Sequence, residues 1–275
     1  MSLRISVALM LLAALMLLAV PVLAQEQGTW QPSHLADGQP SLEGYWGPAL
    51  GGGFSLTNPM TGAAEFAART GGPRLQNPSR IVDPPDGRVP YQPWAAALQN
   101  RQASAFDHPS RPEDIDTQSR CLAAGPRLFV NPTFQIIQSP GAVVFVWDDY
   151  HEYRVIPLDA RPHIGSDVKL WMGDARGHWD GNTLIVDVTN LNGKSRLSVV
   201  GDFFSANAHL VERFTRVSAD TMNYEVTVDD PTVFTRPWTI RVVHKRRPAE
   251  EMLETACHEG EKSSAQMLVA DQDTK

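Results

Sequence analysis

Five polar side chains in the second half of the chain have the types that acid–base chemistry requires. His163 can give or take a proton near neutral pH, and the carboxylate of Asp174 or Glu212 would orient its ring. Arg176 and Arg213 carry permanent positive charges that would bind an oxyanion or a ligand carboxylate. Such a set suffices for dehydration, isomerisation or lyase chemistry without a cofactor. The alternative is that each arginine is a paired structural residue.

The motifs of other enzyme classes are missing from the sequence. There is no G-x-S-x-G, no P-loop, no G-x-G-x-x-G between a strand and a helix, and no HExxH. Several histidines lack the short spacing at which neighbouring residues share a metal: His151, His163, His178, His209, His244 and His258. We therefore expect no metal site and no cofactor.

A glycine-rich polar stretch from residue 171 to residue 190 holds several of these candidates. It is typical of a strand end, a polar turn and a second strand, because Gly173, Gly177 and Gly181 permit a positive φ or a close backbone approach. Asp174 and Arg176 could belong to a buried ionic network. Alternatively, the charges are those of a hairpin and satisfy one another and the turn backbone.

The same stretch resembles a large family of exported bacterial proteins of unknown function. Members share the pattern W-x-G-D-x-R-G-x-W-x-G-x-T-L-x-V-D-x-T-N and a C-H-E-G tail, which here begin at Trp171 and Cys257. The resemblance covers the chain from about residue 121 to the end, and it implies one intact domain. Two positions depart from the pattern: His178 stands where a basic residue is usual, and Thr255 where an aromatic residue is usual. The first departure argues against His178 as an essential base.

Short strands must position these residues, because punctuated apolar segments recur through the second half of the chain. The candidate strands are Arg127–Val130, Phe134–Gln138, Ala142–Trp147, Glu152–Pro157, Val168–Met172, Thr183–Thr189, Ala208–Val217, Met222–Val228, Trp238–Lys245 and Met252–Cys257. No helical stretch of about a dozen residues separates them, which disfavours a parallel sheet. The pattern predicts a mainly β protein with an antiparallel, lipocalin-like β-barrel, or alternatively a β-sandwich.

Alternation along the strands shows which faces are apolar. Met222, Tyr224, Val226 and Val228 share one face of their strand. The segment 208–217 is different, because Glu212 and other charged residues stand on both of its faces. Such a strand borders solvent or lines a partly polar barrel interior.

The chain before residue 121 has a different character. Glycine and proline are dense from residue 25 to residue 120, which predicts an irregular arm that wraps the body, with one helix beginning at Pro93. Tyr91, Trp94 and Phe106 would anchor the arm; a disordered linker is the alternative. We expect one domain overall, with the barrel body over 121–275 and a first strand near 43–47.

The first 24 residues are typical of an export signal. Arg4 precedes an apolar run from residue 5 to residue 20, Pro21 breaks it, and Val22 and Ala24 supply the small residues of a cleavage site. We expect cleavage after Ala24 and a periplasmic or secreted product without membrane association. A retained membrane anchor is the alternative.

Export makes the two cysteines informative. In an oxidising compartment, Cys121 and Cys257 should form a disulfide that ties the last strand to the middle of the chain. A catalytic thiol or a metal site is the alternative, but the chain has no CxxC.

Composition limits the class of partner. The chain has 275 residues, 24 Lys and Arg against 31 Asp and Glu, and a formal charge of -7. Without a long basic run, nucleic acid is not expected as a partner. The aromatic content fits a barrel that holds a small, partly apolar molecule. Its binding residues would be Tyr153, Arg154, Trp171, Trp179 and Trp238.

The start of the barrel carries a weaker sign of the same function. Gly44-Tyr45-Trp46 resembles the Gly-x-Trp opening of lipocalin-like barrels, whose Trp packs across the barrel floor; a turn glycine and a core Trp are the alternative. We expect a small-molecule binder first, a cofactor-independent acid–base enzyme second, and a structural or protein-interaction module third. The oligomeric state is left open.

Overall fold

The computed structural model describes residues 30–49, 55–57, 79–106, 108–123, 125–126, 133–147, 152–247, 256–258 and 262–270. The export-signal segment lies outside these residues, as do the predicted strand Arg127–Val130 and most of the predicted strand Met252–Cys257. No helix in the described part is long and apolar enough to cross a membrane.

Ten described strands and two α-helices make up the regular structure. The strands are β1 (Gly44–Pro48), β2 (Ile81–Asp83), β3 (Phe134–Ser139), β4 (Ala142–Trp147), β5 (Tyr153–Pro157), β6 (Asp174–Asp180), β7 (Thr183–Thr189), β8 (His209–Ser218), β9 (Thr221–Asp229) and β10 (Trp238–Arg246). The α-helices are α1 (Pro93–Ser104) and α2 (Ser263–Ala270), and two short 3-10 helices cover Pro112–Asp114 and Gln118–Arg120. The helix expected at Pro93 is confirmed.

The strands form one antiparallel sheet in the order β5-β4-β3-β1-β10-β9-β8-β7-β6. Strand β2 pairs with the start of β10, while β1 pairs with its end. Because each neighbour in this row of nine runs antiparallel to the next, β5 and β6 at its two ends run in the same direction.

The two end strands contact each other, so the sheet closes almost completely into a barrel. Gly177 of β6 allows this approach. A Cβ atom there would lie 2.7 Å from Ile156 Cγ2 and 2.7 Å from Leu158 Cδ2. The predicted antiparallel barrel is confirmed, and its likeness to lipocalins in particular stays a prediction.

The interior side chains follow the alternation of the sequence. Met222, Tyr224, Val226 and Val228 of β9 are at most 1% exposed, which confirms the predicted inner face of this strand. Among the mostly aliphatic interior side chains, several aromatic rings contact one another. Ring centroids are 5.0 Å apart for Phe145 and Phe214, and 4.8 Å apart for Phe214 and Tyr224.

One predicted strand is wrong and one observed strand was expected to be a turn. The segment Val168–Met172 makes only an isolated bridge, between Leu170 and Leu191, and Leu170 is 39% exposed. The following residues, Asp174–Asp180, form β6 and pair with β7 along their whole length. Two of the three inward residues, Ala175 and Gly177, are small, and the outward residues are polar or charged, so the segment lacks the apolar alternation by which strands are recognised.

The disulfide is confirmed. Cys121 and Cys257 are bonded, with their Cα atoms 5.6 Å apart. The bond joins the turn that follows the second 3-10 helix to a position 136 residues later, just before α2.

Candidate functional site

A cavity of about 810 Å³ lies at the end of the barrel where β7 ends and β8 begins. It is lined by α1, by part of the segment 113–122 and by the connection from β7 to β8, and it is partly open to solvent. Trp94, Trp171, Phe203 and Phe204 form its aromatic walls. Pockets of this volume, mostly apolar with a few polar groups, are typical of small-molecule sites.

Tyr91 fixes the start of α1 beside the cavity. Its ring packs on Phe203 and Phe234, with centroids 6.0 Å and 5.4 Å apart, and its hydroxyl donates to Asp202 Oδ1 at 2.9 Å. Ser198 Oγ donates to the other oxygen of Asp202 at 2.6 Å. Burial raises the pKa of Asp202, although these hydrogen bonds oppose the rise. Both oxygens of the buried Asp202 carboxyl group thus accept hydrogen bonds, and these bonds hold the adjacent wall residue Phe203 in place.

The other two aromatic residues expected in the arm lie near this contact or beyond the helix. Trp94, in the first turn of α1, donates from Nε1 to the backbone oxygen of Thr232 at 3.2 Å, and its ring is 6.1 Å from that of Phe203. Phe106 is half-buried just past the end of α1.

Polar groups occupy the remaining part of the cavity lining. Arg120, Lys194 and Arg196 are cationic, and Glu113 is the acidic residue among the lining residues. Arg196 donates to the backbone oxygen of Asp114 at 3.2 Å and to that of Glu113. These two bonds fix the guanidinium of Arg196 against the segment 113–122.

Three lining residues have a buried polar atom that makes no hydrogen bond within the described part of the chain. The atoms are Gln102 Oε1, Arg120 Nε and Ser195 Oγ. Buried polar groups in native proteins are nearly always satisfied by protein, water or ligand. Three such atoms belong to residues around this one cavity.

A second polar cluster lies on the outer face of β6, β7 and β8, and we call it the outer network. It consists of His163, Asp174, Arg176, Asp187 and His209. His163 Nδ1 is 2.7 Å from Asp174 Oδ2, and its Nε2 is 2.8 Å from Asp187 Oδ1. Arg176 Nη1 donates to Asp174 Oδ1 at 2.7 Å, and His209 Nε2 is 2.7 Å from Asp187 Oδ2. Three of the five predicted catalytic residues thus meet here.

Both ring nitrogens of His163 face carboxylate oxygens. Each contact engages one ring nitrogen of His163 with a carboxylate oxygen. Neither nitrogen is then free to take a proton from a substrate. Burial raises the pKa of Asp187, but the hydrogen bonds from His209 and His163 outweigh it and hold that pKa below its usual value.

The outer network fastens the connection between β5 and β6, residues 158–173, to the sheet. His163 belongs to this connection, and Arg176 Nε donates to the backbone oxygen of Pro162 at 3.2 Å. Asn190 Nδ2 donates to the backbone oxygens of Gly165 at 2.8 Å and Val168 at 2.9 Å. The connection leads directly to Trp171, so these contacts position one wall of the cavity.

The other two predicted catalytic residues lie elsewhere. Glu212 is 0% exposed and points into the barrel, where it binds Arg154 and accepts from Tyr224 Oη at 2.7 Å. Arg213, the next residue on β8, points to the outer side and is exposed. Of the two carboxylates considered as partners of His163, the structure places Asp174 there and Glu212 in the interior.

The predicted ligand-binding residues are dispersed. Trp171 lines the cavity, while Tyr153 is 68% exposed. Trp238 packs in the core against Phe234, with ring centroids 5.2 Å apart, and Trp179 Nε1 donates to Gln39 Oε1 at 3.3 Å. Arg154 is paired inside the barrel, as described above. A shared aromatic character did not distinguish a cavity wall from a core position.

Sequence reasoning missed Asp187, His209 and most of the cavity lining. Asp187 and His209 stand on adjacent strands, and the register Asp187–Val211 places them diagonally on one face. The alternation of residues along β7 predicts that Asp187 faces outward, but the sequence does not show how β7 and β8 are aligned. Among the described residues, no group of three or more His, Cys, Asp or Glu side chains could hold a metal ion.

Comparison with protein-family models and with curated proteins gives no match. Among solved structures, a REP1-NXSQ fatty acid transporter is similar to part of this chain, at 14% identity and a TM-score of 0.27. The matched region covers 44% of this chain and 73% of the other. A similarity at this level says nothing about what this chain binds. The resemblance to exported bacterial proteins stays a prediction.

Proposed function

We propose that this protein is an exported β-barrel that binds a small, partly apolar molecule in the cavity at the end of the barrel. The observation that carries the proposal is the cavity itself. It combines a volume of about 810 Å³ with aromatic walls and unsatisfied buried polar atoms. An apolar pocket with a few convergent polar groups is the general form of a small-molecule site.

The position of the cavity differs from the simplest expectation for a binding barrel, in which the ligand sits in the lumen. Around Phe214, the described interior is packed with contacting rings and with the Arg154–Glu212 pair. The cavity instead lies beneath α1, a helix contributed by the chain before the barrel body. The irregular first half of the chain would therefore contribute to function as well as to packing.

Export is supported by two features. The N-terminal pattern has the charge, apolar run and small residues of a cleaved signal. The Cys121–Cys257 disulfide is a bond that persists in oxidising compartments such as the periplasm or the extracellular space.

The acid–base enzyme is less well supported than the binder. A general acid or base needs a ring nitrogen within reach of substrate, and both nitrogens of His163 already face carboxylates. The same contacts serve well to hold the connection 158–173 in place. We therefore assign the outer network a positioning role.

A fluorescence titration with the neutral aromatic probe N-phenyl-1-naphthylamine tests the binding function. We expect saturable binding that the double variant Leu98→Trp and Ala206→Trp weakens at least about tenfold, because both side chains would occupy the cavity. Ala97→Trp is the matched control, since Ala97 is exposed on the same helix. Absence of saturable binding, or equal affinity in the filled variant, would contradict the proposal.

A further inference from the structure

The unsatisfied atoms around the cavity differ in whether they need a hydrogen-bond acceptor or a donor from a ligand. Arg120 Nε carries a hydrogen and can only donate, and Ser195 Oγ can donate or accept. Ser195 is 2% exposed, so bulk water does not compensate its hydroxyl. The Gln102 oxygen accepts, and a water molecule or a ligand hydroxyl would satisfy it. Two of the three atoms thus suit a ligand group that accepts hydrogen bonds.

Charge makes this requirement more specific. Arg120 and Lys194 are two cationic residues of the lining, against Glu113 as its acidic residue. The cavity therefore has a surplus of positive charge on a chain whose formal net charge is -7. A negatively charged acceptor meets both the charge and the donors.

The position of Arg120 is held by the surrounding backbone. Arg120 ends the second 3-10 helix, its backbone N–H donates to the Thr117 oxygen at 3.1 Å, and the next residue is the disulfide-bonded Cys121. From this position the guanidinium can bind a planar acid group side-on through Nε and a terminal nitrogen.

The walls opposite these groups specify the rest of the ligand. Trp94, Trp171, Phe203 and Phe204 offer ring faces and edges, which favour a flat aromatic body. On the basis of the proposed function, we infer that the ligand is an aromatic carboxylate. Its acid group binds Arg120, Lys194 and the Ser195 hydroxyl, while its ring packs between the aromatic walls.

Two probes that share one ring system test this inference by isothermal titration calorimetry on the disulfide-bonded protein at pH 7. The probes are 2-naphthylacetate and the neutral 2-(2-naphthyl)ethanol. We expect the acid to bind at least about tenfold more tightly than the alcohol, as charge-assisted hydrogen bonds are worth more than neutral ones. Arg120→Gln should reduce this preference to less than about threefold.

Two further variants keep the result interpretable. Arg101→Gln removes a positive charge from an exposed position on α1 and should leave the preference unchanged. If Arg120→Gln does not fold, Lys194→Gln replaces an exposed side chain and should still lower affinity for the acid alone.

The outcomes separate the two proposals. If acid and alcohol bind equally well, or if Arg101→Gln has the same effect as Arg120→Gln, the carboxylate inference is wrong while the binding function stands. If neither probe binds at millimolar concentration, both are overturned. If only the acid binds and Arg120→Gln abolishes its binding, both are supported.

Discussion

Arg154 of β5 and Glu212 of β8 form an ion pair inside the barrel. Arg154 Nη1 is 3.1 Å from Glu212 Oε1, and Nη2 is 2.5 Å from Oε2. Their side chains are 3% and 0% exposed. Strand β5 is one end of the sheet, and β4 is its hydrogen-bonded neighbour among the described strands. The pair therefore links this edge strand to β8, the third strand from the other end of the row, across the place where β5 and β6 approach each other.

Removing one partner of this pair should be strongly destabilising. Arg154→Met leaves the Glu212 carboxylate buried with Tyr224 as its described hydrogen-bond donor. We expect a loss of about 3–5 kcal/mol in the free energy of unfolding, measured with urea. The double variant Arg154→Met and Glu212→Leu should recover most of it, because no buried charge remains. A single-variant loss below about 1 kcal/mol would contradict this account.

His244 should make the protein less stable in mild acid. Burial, assisted by the positive charge of Arg80 and opposed by the Gly47 backbone, lowers the pKa of His244 to about 3. Below an unfolded value of about 6.5 only the unfolded chain takes up this proton, so stability is present above that pH and is lost as the pH falls toward 3. The loss from pH 7 to pH 5 should be about 2 kcal/mol.

Urea unfolding at several pH values checks this contribution. His244→Phe keeps a ring beside Phe134, whose centroid is 5.1 Å away, and removes the titrating group. Its free energy of unfolding should depend less steeply on pH than that of the unchanged protein between pH 7 and pH 5. Identical slopes would show that His244 does not cause the dependence.

Asp187 should make the stability of the fold depend on pH in a more acidic range than His244 does. Despite the opposing effect of burial, the hydrogen bonds from His209 and His163 hold its pKa below its ordinary value. A depressed folded pKa stabilises the fold above the unfolded value of about 3.9, and this stabilisation disappears as the pH falls through the folded pKa. Asp187→Asn should therefore lower the urea midpoint at pH 6 and bring it closer to that of the unchanged protein near pH 3. Asp86→Asn, at an exposed turn position, is the control.

His163 should control the mobility of the connection 158–173. In His163→Gln the contacts to Asp174 and Asp187 are weakened, and we expect faster hydrogen exchange at Ile164, whose N–H donates to Asp174 Oδ2 at 3.1 Å. The exposed His178 provides the control, since His178→Gln leaves the outer network intact. Unchanged exchange in the connection, measured by mass spectrometry, would contradict the positioning role.

Local patterns were enough to predict much of the barrel, because a strand with one apolar face shows it in the order of its residues. Strand β9 is the clearest example, with four alternate residues that are buried as expected. Strand β6 was not recognised because Ala175 and Gly177 face inward, so that its apolar signal is nearly absent. The segment just before β6 was mistaken for a strand because Val168 and Leu170 are apolar residues two positions apart. Both are exposed at the surface.

The site was harder to predict because it depends on which distant residues meet. Asp174 and Arg176 were recognised together, being two positions apart on one face. Asp187 and His209 join them through strand register, which no local pattern shows. At the cavity, α1 lies beside the connection between β7 and β8, which comes about a hundred residues later in the chain. Contacts such as the hydrogen bond from Tyr91, just before α1, to Asp202 hold the two together.

The bond between Cys121 and Cys257 closes a covalent ring of polypeptide that contains β3 to β10. A protease that cuts once inside this ring produces a nicked molecule whose two pieces remain attached. It migrates as two fragments only after reduction. Strands β1 and β2 lie outside the ring and are held to it by their pairing with β10 and, for β1, β3. Damage to the barrel wall thus leaves its strands at high local concentration, where they can reassemble.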